Sequence, residues 1–340
     1  MKKRVRYYTF LLLITPICFE LALRILGYSA YHQVQYSLES SPKMCLTASN
    51  TRGFSLGEGT FQVSMNGAPK YTATHRAGKR ITRKHELADS LDKIFVMGCS
   101  LTYGMGVDDS VSFPYQIQSH FKNYDVQNFG VPGYGNVQSL LQLEAELSNG
   151  NIPAIVVLNF CDFHHERNSL TPRFRNSLVM GFQRSNDEAA KALQKSKFPY
   201  VGNGIIQFAS YANLYSNWSE RETFAGVNYL QTMQDEHLTP SKEDLEKNTE
   251  FILFQMQKLC KKKGIPFIVT GLTRNTSTRR FLSYLTKGGI NTYNISLDLT
   301  KKKYNQLPYD THPNACAHDH FAKKIIPIIE NTLSSRSLAN

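Results

Sequence analysis

Residues 93–104 read Lys93-Ile94-Phe95-Val96-Met97-Gly98-Cys99-Ser100-Leu101-Thr102-Tyr103-Gly104. The apolar run Ile94–Met97 is rich in strand-forming residues and ends at a glycine, as a buried parallel strand does where it enters a turn. Ser100 follows the strand end, where open α/β sheets hold their ligands. Two interpretations are open from this stretch alone: Ser100 is an activated nucleophile, or it only caps the next helix.

Strand and helix patterns alternate after this stretch. Further strands are predicted at 125–129, 154–160, 266–271 and 290–299, and helices at 111–121, 136–147, from 241 to about 263 and at 317–334. Alternation of this kind indicates a parallel sheet that is covered on both faces. We therefore predict an α/β fold, a three-layer α/β/α domain with a central parallel sheet of about five strands.

The distribution of charge argues against nucleic-acid binding, and the spacing of the cysteines argues against a zinc or redox-active cysteine site. The chain has 39 Lys and Arg against 27 Asp and Glu, a formal net charge of +12, but the basic residues are scattered apart from clusters at 2–6, 261–263 and 301–303. No nucleic-acid-binding motif is present, so we predict no nucleic-acid partner. The six cysteines show neither zinc-ligand nor C-x-x-C spacing, and we predict no metal and no cofactor. The oligomeric state stays open.

The N-terminus combines a basic start at residues 2–6 with the apolar run Tyr7–Phe19. Continued through Glu20 and Arg24, which can pair at i,i+4, the segment reaches about 22 residues, enough to span a bilayer. We predict that residues 1–28 are an uncleaved signal anchor, a single-pass helix in the cytoplasmic membrane. The basic start places the N-terminus in the cytoplasm and the rest of the chain in the periplasm. A cleaved signal peptide and a soluble amphipathic helix are the alternatives.

Three further segments complete the predicted organisation. Residues 29–90 mix Gly, Ser, Thr and Asn with short strand-like pieces and form a β-rich lead-in. Residues 91–335 form the α/β domain. Within it, the helix and strand pattern weakens at about 171–239, which we interpret as an insertion. The insertion either shapes a substrate cleft or is an inert structural elaboration.

Reactive side chains follow several of the predicted strands. Ser100 follows the first strand, the Gly130/Gly133 turn follows the second and the segment 159–168 ends the third, while Asp310 and His312 come near the C-terminus. Acyl transfer needs a nucleophile, a base, a group that orients the base, and donors for the oxyanion. The order of these residues along the chain is no obstacle, because such a triad is defined by geometry.

At these motifs the chain resembles the SGNH (GDSL-type) hydrolase family, and its basic–apolar start, which ends in Glu20-Leu21-Ala22-Leu23-Arg24-Ile25-Leu26-Gly27-Tyr28, looks like that of membrane-anchored bacterial members. Three blocks carry the resemblance: Gly98-Cys99-Ser100-Leu101-Thr102-Tyr103-Gly104, Asn128-Phe129-Gly130-Val131-Pro132-Gly133 and Asp310-Thr311-His312-Pro313-Asn314. It implies a flavodoxin-like sheet with Ser100 as the nucleophile, His312 as the base and Asp310 as its orienting carboxylate. It also implies that the backbone N–H groups of Ser100 and Gly133 bind the oxyanion.

Two positions depart from the family pattern. Cys161 stands where the family has an asparagine that donates to the oxyanion, and a thiol is a weak donor. Losing such a donor typically costs about 2.7–4 kcal/mol of transition-state stabilisation. Candidate substitutes and supporting residues on the same strand end are Asn159, Asp162, His164 and Asn168. In addition, Asp310 precedes His312 by two residues, where the best-known members have three.

The expected function is a serine esterase or O-acyltransferase that works through an acyl-enzyme. Its expected substrate is an O-acylated envelope or extracellular glycan. The alternative is a membrane-tethered glycan-binding or assembly protein with weak or no catalysis, and the departure at Cys161 favours it. We also considered a metal site at His164, His165 and Glu166, but side chains of adjacent residues at a strand end point apart.

Overall fold

The computed structural model describes residues 2–32, 37–43, 45–84, 91–183 and 192–337. Its α-helices are α1 (Lys2–Ile25), α2 (Ser100–Tyr103), α3 (Phe113–His120), α4 (Asn136–Ser148), α5 (His164–Asn168), α6 (Pro172–Gln183), α7 (Ala225–Leu238), α8 (Lys242–Lys262), α9 (Thr276–Lys287) and α10 (Ala315–Ser337). Its strands are β1 (Leu38–Ser41), β2 (Leu46–Ser49), β3 (Gly53–Leu56), β4 (Gly59–Met65), β5 (Tyr71–Arg76), β6 (Lys79–Arg80), β7 (Lys93–Met97), β8 (Asp125–Asn128), β9 (Pro153–Phe160), β10 (Lys197–Gly202), β11 (Ile205–Ser210), β12 (Phe267–Thr273), β13 (Asn291–Leu297), β14 (Asn305–Gln306) and β15 (Asp310–Pro313).

The centre of the fold is a set of five parallel strands in the order β8-β7-β9-β12-β13. The first strand of the set, β7, lies between β8 and β9, so the chain winds outward from it in both directions. In open sheets a cleft forms at such a switch point, beside the carboxyl ends of the strands. The predicted parallel sheet is confirmed.

Helices cover both faces of this sheet. Alternate side chains of a strand point to opposite faces. Phe95 and Met97 accordingly pack with α4, α8 and α9, while Ile94 and Val96 pack with α3 and α10. The predicted three-layer α/β/α architecture is thus confirmed. Helix α9 was not among the predicted elements.

The lead-in extends the same sheet. Strand β6 pairs antiparallel with β8 through Arg80 and Asn128, and β5, β4 and β1 follow outward to give nine strands. These strands cover the edge of β8, which would otherwise expose unpaired backbone groups. The boundary predicted near residue 90 lies in 85–90, outside the described residues, and the division of the chain into these segments stays a prediction.

The described part of the insertion contains α6, the β10–β11 hairpin and α7. It shares a third hydrophobic cluster with the lead-in. Phe198 of the hairpin packs against Phe54 of β3 at 6.2 Å between ring centroids, and Leu178 of α6 lies in the same cluster. The insertion and the lead-in are therefore packed together on one side of the main domain.

The N-terminal helix α1 is long and apolar enough to cross a membrane over Lys3–Ile25, with a mean hydropathy of 1.7 in its most apolar window. A signal sequence at an N-terminus has the same properties. Only 6% of that window is buried against the rest of the protein. The apolar side chains of α1 thus need another environment.

Candidate active site

Ser100 lies at a sharp turn between β7 and α2. The turn requires glycine at position 98, where φ is +156° and a Cβ atom would lie 2.2 Å from Thr102 Oγ1. Ser100 is the first residue of the short helix α2, and Gly104 in the left-handed region ends that helix. Because Ser100 begins a helix, its backbone N–H has no partner within the helix. The turn therefore presents both the hydroxyl and the N–H of one residue.

The β14–β15 hairpin brings the histidine and the aspartate to this serine. His312 Nε2 lies 2.9 Å from Ser100 Oγ, and His312 Nδ1 is hydrogen-bonded to Asp310 Oδ2. Residues two apart on a strand point to the same face. The shortened spacing between Asp310 and His312 is thus accommodated because this segment is a strand.

The protonation states follow from the hydrogen bonds. Burial favours the neutral form of Asp310, but hydrogen bonds from the His312 ring and from the backbone N–H groups of Thr311 and His312 hold its pKa below the usual value. The ionised carboxylate accepts the Nδ1 proton and leaves a lone pair on Nε2. That lone pair faces the Ser100 hydroxyl, as general-base catalysis requires.

The hairpin is fixed to the loop after α2. Gln306 on β14 donates from Nε2 to the carbonyl oxygen of Gly106 at 2.7 Å. A Cβ atom on Gly106 would lie 2.1 Å from Gln306 Nε2, so only glycine allows this approach. The lead-in adds a second tie, from Asn66 Nδ2 to the carbonyl oxygen of Tyr309 at 3.0 Å.

The turn after β8 packs directly on α2. A Cβ atom on Gly130 would lie 2.2 Å from the backbone nitrogen of Tyr103. The Gly130 N–H donates to Asn128 Oδ1 at 2.9 Å and is thereby used. Gly133 adopts φ +85°, and its N–H donates no hydrogen bond to any of the described residues. Of the two glycines in this turn, Gly133 is the one with an N–H left for a ligand.

The other polar residues named at this strand end form hydrogen bonds within the fold. Asn159 donates to the Met97 carbonyl at 3.0 Å and accepts from Thr270 at 2.7 Å, which joins β9 to both neighbouring strands. Asn168 Oδ1 accepts the N–H groups that begin α4, at 2.6 and 3.2 Å. Asp162 accepts from Thr273 Oγ1 at 2.8 Å. All three side chains thus make contacts within the fold, and the supporting roles predicted for Asp162 and Asn168 stay predictions.

Cys161 and His164 belong to a buried cluster with Cys99. One ligand-type atom from each of the three residues lies within 4.8 Å of the other two. All three residues are buried. Burial raises the pKa of the Cys161 thiol, which is therefore a neutral S–H group. His165 instead contacts Thr249 Oγ1 at 2.9 Å, so the adjacent histidines do diverge.

Arg80 of the lead-in is a site residue that sequence reasoning missed. Its side chain is fully buried, and it donates to the carbonyl oxygens of Tyr103, Gly104 and Val107 at 3.0, 2.6 and 2.7 Å. These carbonyls all lie within the segment that follows Ser100. A single arginine in a polar strand carries no motif, so the sequence offered no signal for this role.

The chain was compared with known proteins. No protein-family model and no curated protein matches it. Among solved structures it is similar to TesA (13% identity, TM-score 0.39, covering 69% of this chain and 97% of that one). It is also similar to the psychrotrophic esterase EstA from Pseudoalteromonas sp. (13%, 0.40, 72% and 99%). A third similar structure is a member of the lipolytic protein G-D-S-L family from Veillonella parvula DSM 2008 (10%, 0.38, 69% and 97%).

With identities and TM-scores this low, the assignment depends on the residues of the chain itself. The five parallel strands of the predicted sheet lie in the order β8-β7-β9-β12-β13, and Ser100 of the first sequence block meets His312 and Asp310 of the last at the carboxyl end of β7. The chain has an α/β fold in which a serine, a histidine and an aspartate are joined by hydrogen bonds in the order of a serine-hydrolase triad.

Proposed function

We propose that this protein is a serine esterase of the SGNH type. The observation that carries the proposal is the contact of 2.9 Å between His312 Nε2 and Ser100 Oγ, with Nδ1 of the same ring bonded to Asp310. Serine is a weak nucleophile at its free pKa and requires an adjacent, oriented base. A structural serine cap needs neither the histidine nor the carboxylate.

In the proposed reaction, His312 Nε2 removes the hydroxyl proton as Ser100 Oγ attacks an ester carbonyl. The oxyanion is bound by the backbone N–H groups of Ser100 and Gly133. His312 then returns the proton to the leaving alcohol, which departs and leaves Ser100 acylated. A second nucleophile, activated by His312 in the same way, releases the acyl group.

We further propose that the ester is an O-acyl group on an envelope or extracellular glycan. The predicted orientation of α1 places the domain in the periplasm, where such glycans are found. Release of the acyl group to water makes the protein an esterase, and release to a sugar hydroxyl makes it an acyltransferase. Both outcomes use the same acyl-enzyme.

A second candidate is a glycan-binding or assembly protein that keeps the fold without efficient catalysis. The burial of Cys161 favours it, because that position supplies no donor for an oxyanion. The two candidates differ in one property, which is the reactivity of Ser100.

The test is labelling by a fluorophosphonate and turnover of a short-chain activated ester. We would compare the wild type with Ser100→Ala and with Ser110→Ala, an exposed serine in the following loop, as the matched control. An esterase loses labelling and turnover in Ser100→Ala alone. A folded wild-type protein that does not label refutes the proposal and favours the binding protein. For an active protein, an acylated oligosaccharide then separates release of free acid from transfer.

A further inference from the structure

The end of α1 forms part of the folded domain. The Glu20 carboxylate accepts the backbone N–H groups of Ala225 and Gly226 at 3.0 and 2.7 Å, and so caps the start of α7. Arg24 is bonded to Glu20 and donates to the Thr223 carbonyl at 3.1 Å. Because α7 takes its cap from α1, removal of α1 would leave these N–H groups without a partner. The contacts indicate that α1 is retained in the mature protein.

Close packing accompanies these hydrogen bonds. A Cβ atom on Gly226 would lie 3.2 Å from the Phe19 ring, so the glycine lets the two helices approach. Tyr229 makes edge contacts with Phe19 and Tyr28, at 6.2 and 5.0 Å between ring centroids. Leu23 is buried at 5% exposure. These contacts fix the start of α7 beside residues 19–24 of α1, at the same level along the α1 axis.

The length of the apolar part of α1 indicates how deep residues 19–24 lie in a bilayer. The uncharged run Tyr7–Phe19 has 13 residues, which at 1.5 Å per residue is about 20 Å. The hydrocarbon core of a bilayer is about 30 Å thick, so the core extends past Phe19 by roughly 10 Å. That distance covers Glu20 and Arg24. The two charged side chains are paired with each other and are hydrogen-bonded to backbone groups at the start of α7. Charged side chains within a membrane are usually paired in this way.

Exposed apolar side chains lie where α7 leaves α1. Leu230 and Met233 follow Gly226 on one stripe of α7 and are 46% and 50% exposed. Trp218 is 41% exposed, and its backbone N–H is bonded to Gln231 of α7 at 2.9 Å. Tryptophan is enriched at membrane–water interfaces. Past Met233, α7 exposes polar residues at 234, 236 and 237 together with Leu238, which is 60% exposed.

We propose that the segment Trp218–Met233 lies in the outer boundary layer of the bilayer that α1 enters, with Trp218, Leu230 and Met233 in contact with lipid. The inference rests on the proposed retention of α1 as a membrane anchor. Its occupant is a phospholipid surface and not a protein partner, because the chain itself carries this face to the lipid boundary. The domain is then held at a fixed height and does not swing on a tether.

The experiment uses Trp218, which is the only tryptophan of the chain. The full-length protein is reconstituted into vesicles of phosphatidylcholine and phosphatidylglycerol, some brominated near the headgroup and some deep in the acyl chains. Bromine quenches tryptophan only at close range. We expect the emission to fall to half or less with shallow bromines, and to fall less with deep ones.

Two variants serve as controls. In Trp218→Phe/Tyr293→Trp the fluorophore moves to β13, the opposite edge of the sheet from β1, and we expect no quenching. In Leu230→Ser/Met233→Ser the exposed side chains become polar, and we expect the quenching of Trp218 to fall by half or more with turnover of a soluble ester unchanged.

Alkaline carbonate extraction separates the two possible failures. Protein released by carbonate overturns the anchor and with it the docking. Protein that stays in the vesicles with unquenched Trp218 overturns the docking alone and assigns this face to a protein partner. Neither result depends on esterase activity, so failure of the proposed reaction is measured separately.

Discussion

The guanidinium of Arg80 is paired with the carboxylate of Asp109, at 2.7 Å from Nε to Oδ1, with no part of the arginine side chain exposed. Asp109 Oδ1 and Oδ2 also accept the Thr74 N–H, each at 3.1 Å. Together with its bonds to the carbonyls of residues 103, 104 and 107, this pair joins strands β5 and β6 of the lead-in to the segment that carries Ser100. The lead-in thereby supports the nucleophile.

We predict that Arg80→Met destabilises the protein strongly. Removing one partner of a buried ion pair leaves an uncompensated charge, which costs about 3–5 kcal/mol of unfolding free energy. Arg80→Lys is the informative companion, because a lysine keeps the charge but cannot reproduce the planar fork that reaches several carbonyls. We expect Arg80→Lys to raise the activation free energy for an activated ester, calculated from kcat, by more than it lowers the free energy of unfolding. Denaturant unfolding and steady-state kinetics measure both, and wild-type behaviour of Arg80→Lys would contradict the positioning role.

Asp310→Asn tests the orienting carboxylate. The amide no longer accepts the Nδ1 proton as a charged partner, so His312 loses the tautomer that leaves Nε2 free for Ser100. In a serine triad such a change lowers kcat by about 10⁴-fold. We expect a loss of 10³- to 10⁴-fold with KM little changed. Asp298→Asn, at a partly exposed loop aspartate, is the matched control. Equal kinetics for the two variants would exclude Asp310 from the site.

The parallel sheet was predictable because its strands are short apolar runs whose ends are marked by glycine or polar residues. The family resemblance of the first and last blocks pointed to Ser100, His312 and Asp310, although His312 and Asp310 reach Ser100 from the separate antiparallel β14–β15 hairpin. Helix α9 was missed. Its apolar residues Phe281, Leu282 and Leu285 occupy less than half of a short, otherwise polar segment.

Side-chain partners were the less predictable part. Asn159 lies near the end of β9 and Asn168 lies in the short helix that follows it. An asparagine at such a place can donate a hydrogen bond either to a ligand or to another part of the protein. Only the positions of Met97, Thr270 and the start of α4 show that both are used structurally. Arg80 illustrates the same limit from the other side. Its function depends on carbonyl groups, which every residue has, and a sequence therefore carries no trace of it.

Substitution of Cys161 tests whether the thiol assists catalysis. An oxyanion donor is worth 10²- to 10³-fold in kcat, whereas a buried thiol beside Cys99 and His164 is worth little. We expect Cys161→Ala to keep kcat within about threefold of the wild type and to lose some stability through the small cavity. Steady-state kinetics with a short-chain ester measure this. A loss of a hundredfold or more, with the fold intact, would restore Cys161 to the oxyanion site.

His75 makes the stability of the domain depend on pH. Its ring is buried between the Gly57 carbonyl at 2.9 Å and the Tyr103 hydroxyl at 2.8 Å, and burial lowers its pKa to about 4. The unfolded chain binds a proton there below about pH 6.5, and the folded chain does not until about pH 4. The free energy of unfolding therefore falls as the pH drops through this window, by about 1.4 kcal/mol per pH unit for this one group.

Denaturant unfolding of the full chain in a mild detergent at several pH values measures the slope, and His75→Gln should flatten it by that amount. Buried His165 and His318 contribute in the same direction, because burial lowers their pKa values to about 4 and about 3, and they keep a residual slope in the variant. An unchanged slope in His75→Gln would mean that His75 is already protonated in the folded protein, and that Tyr103 is held in some other way.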